Sequence, residues 1–400
     1  MNHQKIRSEY AFFKKNSDVI YFDNNSSSLK PNCVVESVNN YNSHISTSAG
    51  RGIYKLGFIS SNLVYETRKK IAHLINANEN EIVFTKNATD SLNLVVLSYV
   101  LNNLKAGDEI VLSLVEHHSL SLPLIEAAKK TQAKLVYAPL NEQHKLTPEN
   151  LKKVLTKNTR IVALTHISNI TGIKLEAKEC IKLAHEVGAI VILDSAQAVP
   201  HIKVDVKELN CDFLAFSGYK MGAPTGVGVL YGKYNLLQSM KPIYFGGGMV
   251  NDTLGKEIEY KEAPYKFEYG TISVGDIIGL GSAVDFINEI GFNNIEEYEN
   301  TLKNYLLSEL NKIKGIEIYN NPDIATVIFN VKNIHAHDAA TMYDMFNICV
   351  RAGHNCVQSF VNYIGQVSVL RASLYFYNTK EEIDKFIEAT KQIVLYFNKF

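Results

Sequence analysis

Two short apolar runs, each followed by a side chain that can take part in chemistry, constrain the fold of this chain most strongly. Residues 189–193 (AIVIL) have the length and the β-branched content of a strand buried on both faces, and they lead to Asp194. Residues 213–216 (FLAF) form a second such run, which leads to Lys220. Because the ligand site of an open α/β sheet lies beyond the carboxyl ends of its strands, we expect Asp194 and Lys220 to converge on one ligand.

A carboxylate and a lysine that converge in this way match the needs of pyridoxal phosphate (PLP). The carboxylate keeps the pyridine nitrogen protonated, which makes the ring an electron sink, and the lysine holds the aldehyde as a Schiff base. Gln197 lies three residues after Asp194 and is placed to reach the ring oxygen. The alternative is that Asp194 caps a helix and Lys220 is a solvated loop lysine, which is the commoner arrangement for an isolated pair. The flanking residues favour the cofactor interpretation.

Strand-like and helix-like segments alternate between residue 81 and Lys220. Apolar runs that precede helical segments are EIVF (81–84), EIVLS (109–113), KLVYA (134–138) and RIVALT (160–165). This alternation predicts an α/β fold with a mostly parallel sheet and helices on both of its faces. Further on, GVLYG (228–232) favours an edge strand, with an antiparallel orientation left open.

A different pattern begins near residue 294, where helix, two strands, helix, two strands and a terminal helix are typical of a compact α+β unit. A chain of 400 residues also exceeds the size at which a single core stops growing. We therefore expect a large PLP-binding domain at residues 20–290. A small domain would combine residues 1–19 and 291–400, with an amphipathic helix over residues 1–18.

Composition narrows the range of partners and locations. Lys plus Arg and Asp plus Glu each total 41, which argues against nucleic acid or a membrane surface as a partner. No run of 18 uncharged apolar residues occurs, and the first 18 residues contain no apolar segment of signal-peptide length. The five cysteines are widely spread without a CxxC pair, so we expect no metal site and a reducing, cytoplasmic location.

Several single residues are candidates with an open alternative. Thr89 stands where a helix begins and could bind a phosphate there, although Ser and Thr also cap helices for structural reasons alone. The polar turn at residues 23–28 is either a wall of the site or an ordinary loop. His117 ends a strand, where a lone histidine is more often structural. Cys356 lies in a loop with Gly and Asn, and the alternative is an inert buried thiol.

Ordered motifs along nearly the whole chain resemble the class V aminotransferase-like, fold-type I enzymes that use PLP. Within them the resemblance is to the group II (Suf-type) cysteine desulfurases and the selenocysteine lyases. The motifs are GDEIVLS with EHH (107–118), THISNITG (165–172), LDSAQAVPH (193–201), CDFLAFSGYK (211–220), PTGVGVLYG (224–232), RAGHNC (351–356) and RAS with YNT (371–379). The fold that this resemblance implies is a large domain with a mostly parallel, seven-stranded sheet and a smaller α+β domain near the carboxyl terminus.

The resemblance also implies a role for each matching residue. Lys220 would form the Schiff base and remove the α-proton, Asp194 would pair with the pyridine nitrogen, Gln197 with the ring oxygen, and His117 would stack on the ring. Phosphate ligands would be Thr89, Ser217 and Tyr219, together with Thr271 from the neighbouring subunit of a homodimer. Arg371 and Asn169 would hold the carboxylate of the amino-acid substrate, and Cys356 would be the nucleophile that becomes a persulfide.

The implied reaction converts cysteine to alanine and passes sulfur to an acceptor protein, as in iron–sulfur cluster assembly. HAHD (335–338) resembles family members that use a small zinc-binding acceptor, and a surface histidine pair is the alternative. Two other functions remain open: a lyase for selenocysteine or a modified cysteine, and a scaffold without activity. The family that the chain resembles commonly has histidine where this chain has Gly50, Tyr54, Tyr219 and Asn355, and a Pro–Asn pair where it has Ile272 and Ser273. These departures suggest slow turnover of free cysteine without a partner.

Overall fold

A large central sheet and a smaller sheet organise the part of the chain that the structure, a computed structural model, describes: residues 3–50, 52–253 and 257–397. The strands in chain order are β1 (Ile20–Tyr21), β2 (Ile82–Thr85), β3 (Glu109–Ser113), β4 (Lys134–Ala138), β5 (Thr159–Thr165), β6 (Ile190–Asp194), β7 (Phe213–Ser217), β8 (Gly228–Gly232), β9 (Val250–Asp252), β10 (Glu259–Tyr260), β11 (Ile316–Ile318), β12 (Thr326–Val331), β13 (Ile348–Cys349), β14 (Arg351–Gly353) and β15 (Val369–Ser373).

The central sheet has seven strands in the order β2-β8-β7-β6-β5-β3-β4. Strands β3 to β7 form only parallel pairs with one another. Strand β8 runs antiparallel to both β2 and β7. The α/β fold with a mostly parallel sheet is thus confirmed.

The strand GVLYG is antiparallel, but its predicted edge position is wrong, because β8 lies between β2 and β7. Every residue of β8 is buried, which is typical of an interior strand. Gly228 is required there, since a Cβ atom at this position would overlap the backbone of Asn87.

Helices cover both faces of the central sheet and pack on both faces of the small sheet. They are α1 (His3–Ser8), α2 (Ala11–Lys15), α3 (Asn32–Asn40), α4 (Lys55–Leu74), α5 (Ala88–Val95), α6 (Leu101–Asn103), α7 (His118–Thr131), α8 (Pro148–Lys152), α9 (Ala177–Glu186), α10 (Ala198–His201), α11 (Val206–Leu209), α12 (Tyr234–Ser239), α13 (Val274–Ile290), α14 (Phe292–Leu310), α15 (Ala336–Met345), α16 (Gln358–Tyr363) and α17 (Lys380–Phe397). None of the described helices is both long and apolar enough to span a bilayer.

The single helix predicted for residues 1–18 is wrong over the described residues, because Tyr10 separates α1 from α2. Its backbone is extended (φ −116°, ψ 108°), and its buried ring packs against Tyr377 at 4.8 Å and Phe286 at 5.9 Å between ring centroids. Burying this ring between two others favours the break over continued helix.

The small sheet is antiparallel throughout, in the order β11-β12-β15-β14, and α15 and α17 pack with it around one apolar core. This is the α+β unit that the pattern after residue 294 predicts. The amino-terminal segment joins it twice: β1 pairs with β13, and Arg7 forms an ion pair with Glu382 at 2.9 Å. The carboxyl ends of the parallel strands β5, β6 and β7 lie at the same end of the central sheet. Arg371 of β15 contacts this end through Asn169, which follows β5.

Candidate active site

Asp194 and Lys220 lie at the ends of neighbouring strands. Asp194 is the last residue of β6, and the parallel strand β7 leads directly into a short 3-10 turn, Gly218–Lys220. Asp194 is buried, Lys220 is partly exposed, and their charges interact. The structure therefore brings together the two residues that the sequence singles out for one ligand.

Burial dominates the electrostatics of this pair. It raises the pKa of Asp194, and the charge of Lys220 and the Ala196 N–H, which donates to Oδ1 at 3.0 Å, oppose that rise. Burial also lowers the pKa of Lys220 to about 8, with Asp194 opposing the fall and Arg371 adding to it. Lys220 can therefore supply a neutral amine close to physiological pH, which Schiff-base chemistry requires.

His117 is held in one tautomer beside this pair. It precedes α7, and the Ser119 N–H donates to its Nδ1 at 3.1 Å. Burial lowers the pKa of His117 to about 3, and the nearby positive charge of Lys220 adds to the effect. The imidazole is therefore neutral, with its proton on Nε2, as suits a ring that stacks on an aromatic cofactor.

Three of the predicted phosphate ligands, Thr89, Ser217 and Tyr219, belong to the region around the start of α5. Ser217 accepts a hydrogen bond from the Ala88 N–H at 2.8 Å, and Thr89 lies in the first turn of the helix. Burial raises the pKa of Tyr219, while the Ser217 hydroxyl beside it opposes that rise. The Ser217 and Tyr219 hydroxyls thus lie beside the start of α5, and the Thr89 hydroxyl on its first turn is 2.6 Å from that of Ser119. Hydroxyl groups near a helix amino terminus are a suitable environment for a phosphate dianion.

Arg371 on β15 is buried, and two of its guanidinium nitrogens already donate hydrogen bonds to the protein. It donates to Asp23 at 3.1 Å, to Ser26 at 2.8 Å and to the Asn169 carbonyl oxygen at 3.0 Å, while its Nε has no partner. Burial raises the pKa of Asp23, but hydrogen bonds and charge from Arg351 and Arg371 bring it below its ordinary value. A fixed guanidinium with a spare donor is a suitable anchor for a substrate carboxylate.

The loop of Cys356 is tied to the same set of residues. Asn355 and Cys356 both adopt left-handed backbone angles, with φ of 52° and 58°, and the thiol is exposed. The Asn169 side chain donates to the Asn355 carbonyl oxygen, and the His118 N–H donates to that of Cys356, each at 2.9 Å. Asn is among the residues that tolerate the left-handed region best, so Asn355 suits this turn in place of histidine.

The polar turn at residues 23–28 contacts several of the candidate site residues. Besides the contacts of Asp23 and Ser26, its Asn25 carbonyl oxygen accepts a hydrogen bond from the Gln197 side chain at 2.8 Å. Ser28 donates to the Tyr219 carbonyl oxygen at 3.1 Å. The turn thus fixes residues from both sheets, and Gln197 is oriented next to Asp194.

Thr271 lies apart from this cluster. It is exposed in the segment before α13, and in the described residues no hydrogen bond joins it to the ligands around Asp194. A surface pocket of about 410 Å³ is lined by Thr271, Gly50 and Ile272. Gly50 and Ile272, two of the departures from the family pattern, therefore lie near Thr271 and not near Lys220.

Unpartnered polar atoms around Arg371 support a fit of the residues present to PLP and an amino acid. Among described side chains, eight buried nitrogen or oxygen atoms lack a hydrogen-bond partner. Four of them belong to residues that hydrogen bonds connect through Asn169: Asn25, Asn169, Asn355 and Arg371. Since buried polar groups are nearly always paired in folded proteins, such a concentration indicates a site built for a polar ligand.

Sequence reasoning missed Asp23, Asn25, Ser26 and Glu116 as site residues. The polar turn itself was a visible signal, but the contacts of its side chains with Asn169 and Arg371 join residues more than 140 positions apart along the chain. Glu116 could have been found only through its position next to His117. Their contacts are apparent only from the tertiary structure, in which residues near the two sheets meet.

The chain belongs to the Aminotransferase class-V family, whose pattern it matches over residues 20–386. Enzymes of this family depend on PLP, and the fold and donor set described above fit this cofactor, which is the cofactor of this protein.

The relatives narrow the class further. A protein of Halalkalibacterium halodurans named "Probable cysteine desulfurase" is 42% identical over 381 residues, which are 94% of each chain. The solved structure of the cysteine desulfurase CsdA (S-sulfonic acid) from Escherichia coli is 32% identical and has a TM-score of 0.93 over 99% of each chain. The apo structure of a cysteine desulfurase from Thermococcus onnurineus NA1 is 35% identical, with a TM-score of 0.94 over 98% of each chain.

Proposed function

We propose that this protein is a PLP-dependent cysteine desulfurase that converts L-cysteine to L-alanine and collects the sulfur as a persulfide on Cys356. The observation that carries the proposal is the exposed thiol of Cys356 in a loop bonded to Asn169, which also binds the Arg371 guanidinium. The named relatives cover nearly the whole chain and support the same reaction.

Each residue has a defined task in this proposal. Arg371 and Asn169 hold the substrate carboxylate, and Lys220 takes the α-proton and returns a proton to the product. PLP, when bound, supplies the electron sink that makes loss of this proton possible. The Cys356 thiolate attacks the substrate sulfur, so that the carbon–sulfur bond breaks, a sulfur–sulfur bond forms and alanine leaves.

Three basic side chains from different elements, Lys220, Arg351 and Arg371, lie around the loop of Cys356. Their positions and the geometry of the loop support the same role.

Alanine and sulfide release from cysteine tests the proposal directly. We expect equal amounts of alanine and transferred sulfur, with slow release from free cysteine alone because departures such as Tyr219 and Asn355 remove titratable groups. Selenocysteine and S-substituted cysteines should be measured beside cysteine, with and without acceptor proteins. If none of these substrates yields alanine, the assignment as a desulfurase is wrong. Fast turnover of free cysteine without an acceptor would contradict only the expected slow turnover.

The division into domains follows from the same assignment. We propose that residues 20–290 form the large PLP-binding domain and that residues 1–19 and 291–400 form the small domain. The central sheet lies within the first range, and the antiparallel sheet with β14 and β15 lies within the second. Residues from both ranges, Lys220 and Arg371 among them, would then enclose the substrate between the domains.

We also propose that the enzyme is a homodimer in which Thr271 of one subunit binds the cofactor phosphate of its neighbour. Thr271 lines surface pockets with Tyr244 and Tyr265, and both of these rings, like Phe245, are exposed. Exposed aromatic residues grouped around a predicted ligand indicate a surface that another chain covers. The molar mass in solution tests the dimer, and a monomer that binds PLP normally would contradict it.

A sulfur-acceptor protein is the proposed macromolecular partner. His337 lies near Gly353, in the strand that leads to Cys356, and its ring stacks on His335 with centroids 5.1 Å apart. His337→Ala should lower acceptor-stimulated turnover several-fold while basal alanine release stays unchanged, because the imidazole is outside the substrate contacts. His73→Ala, in α4, is the control. Unchanged stimulation in His337→Ala would exclude this residue from acceptor recognition.

A cytoplasmic location completes the proposal. All five cysteines are free, which suits a reducing compartment. Separation of cell extracts into soluble, membrane and secreted fractions tests the location.

A further inference from the structure

Glu116 is a buried carboxyl that no task above uses. It follows β3, directly before His117, and it is 2% exposed. The Ser113 hydroxyl donates to its Oε1 at 2.6 Å, and its Oε2 has no partner. A buried carboxylate whose hydrogen-bond donors are all neutral is poorly stabilised, so this group favours its protonated form.

Asp194 is the neighbouring carboxyl. Thr165, the last residue of β5, is in register with Asp194 on β6, and its buried hydroxyl also lacks a partner at hydrogen-bonding distance. Burial raises the pKa of Glu116 to about 7; the Ser113 and Thr165 hydroxyls oppose this rise, and the charge of Asp194 adds to it. The two carboxyls therefore titrate as an interacting pair.

The partners of each carboxyl decide which of them holds the proton. Asp194 interacts with the cation of Lys220 and accepts the Ala196 N–H. Ionised Glu116 is stabilised by the Ser113 and Thr165 hydroxyls and the Thr165 backbone, with no cation among its main interactions in the described residues. Ionisation is therefore less costly at Asp194, and the proton of the pair belongs on Glu116.

A small polar cavity adjoins Glu116 on the side of Thr165. Its volume is about 20 Å³, enough for one water molecule. The hydroxyl groups that line it belong to Ser113, Thr165, Ser168 and Thr171. The ionisable groups around it are His144, Lys145 and Lys174 in the cavity wall, with His117 next along the chain and Asp194 on β6. One water there would give the unpartnered oxygens of Glu116 and Thr165 a common partner.

We propose that Glu116 is a positioning residue of the cofactor site: it holds the single proton of the buried Glu116–Asp194 pair at lower pH and releases it as the pH rises, while Asp194 stays ionised for the ring nitrogen of PLP. The inference rests on the cofactor site proposed above and adds a residue to it. Glu116 itself touches neither cofactor nor substrate in this proposal. Its effect reaches the cofactor through its own negative charge, which adds to that of Asp194 when Glu116 ionises.

A spectroscopic titration of the PLP-loaded, full-length enzyme tests the inference. In the wild type, ionisation of Glu116 near pH 7 adds a negative charge, which should hold the proton of the Lys220 Schiff base to higher pH. Glu116→Gln keeps the size of the side chain and removes that charge. When the visible absorbance is titrated between pH 6 and 9, we expect the midpoint pH to be lower in Glu116→Gln than in the wild type, by about half a pH unit or more. The matched control is Glu109→Gln at the other end of β3, whose carboxylate accepts from Thr156 outside the site.

Stability gives a second signature with a defined sign. The folded protein binds the Glu116 proton more tightly than the unfolded chain, whose carboxyl has the ordinary value of 4.5. This group therefore makes the folded state less stable as pH rises from about 4.5 to about 7. Glu116→Gln should remove part of that fall in the thermal midpoint, and Glu109→Gln should retain it. Identical pH dependence of both colour and thermal midpoint in Glu116→Gln and wild type would overturn the proposal.

Infrared spectroscopy of the full-length protein tests the protonation of Glu116 directly. It depends neither on the absorbance of the cofactor nor on Glu116→Gln alone. At pH 6 the carbonyl band of a protonated buried carboxyl should be present, and it should disappear as the pH rises above 7. Ser113→Ala removes the donor to Oε1 and should shift this loss to higher pH. If Ser113→Ala leaves the band's titration unchanged, or the band is absent at pH 6, Glu116 does not carry the proton. A colourless protein that shows the expected band would contradict the proposed cofactor site, while the assignment of the proton would stand.

Discussion

Lys220→Ala should abolish both the visible absorption of bound PLP and the release of alanine from cysteine. The variant loses the amine that forms the Schiff base and the base that removes the α-proton, so we expect turnover to fall by about 10⁴-fold or more. Burial holds the pKa of this amine near 8, and no other lysine lies at the end of a strand next to Asp194 among the described residues. Absorbance spectra and an alanine assay on the same preparation measure both effects.

Two further variants make this result specific. Lys207→Ala, at an exposed lysine of α11, should retain colour and turnover. Asp194→Ala should keep a Schiff base that borohydride can reduce, but turnover should fall because the ring nitrogen loses its carboxylate. A Lys220→Ala variant with a reducible Schiff base and normal turnover would show that another lysine holds the cofactor.

The second large effect is expected at the thiol. Cys356→Ala should leave the absorption spectrum of bound PLP intact and reduce sulfur transfer from cysteine by about 10³-fold, which corresponds to about 4 kcal/mol of activation free energy. The reason is that the exposed nucleophile is removed while Lys220 and Asp194 remain in place. Mass spectrometry after treatment with cysteine should detect an added sulfur on the wild-type peptide that contains residue 356.

Cys349 is the matched control for this variant, because it lies in the neighbouring strand β13 and is partly buried. Burial raises its pKa, so it is a poor nucleophile. Cys349→Ala should transfer sulfur at the wild-type rate. Added sulfur found only on peptides other than that of Cys356 would move the role to another residue.

The part of the site that sequence reasoning predicts is the part encoded by local patterns. A buried apolar run determines that Asp194 stands at a strand end, and the next run does the same for the segment with Lys220. Parallel strands end on the same side of a sheet, so the convergence of these residues follows without knowledge of the tertiary structure. Thr89 is a similar case, since its position depends only on where α5 begins.

Features that depend on strand order and distant pairing are not visible in this way. Whether GVLYG pairs on one side or on both depends on β2, which lies far from it along the chain. The break at Tyr10 depends on rings at Phe286 and Tyr377, and local helix propensity contains no information about them. The protonation of Glu116 likewise arises from burial next to Asp194 and not from its neighbours in sequence.

The contact between Asp23 and Arg371 joins residues 348 positions apart, and it has a consequence for the synthesis of the enzyme. A ribosome makes Asp194 and Lys220 long before Arg371, and amino-terminal regions generally begin to fold first. The lysine that we propose to bind PLP is thus made before the proposed anchor for the substrate carboxylate. A translation product that stops before β15 would lack this anchor, and we expect such incomplete chains to release no sulfide into the cell. Chains stalled before and after residue 371 and assayed for sulfide would test this order of events.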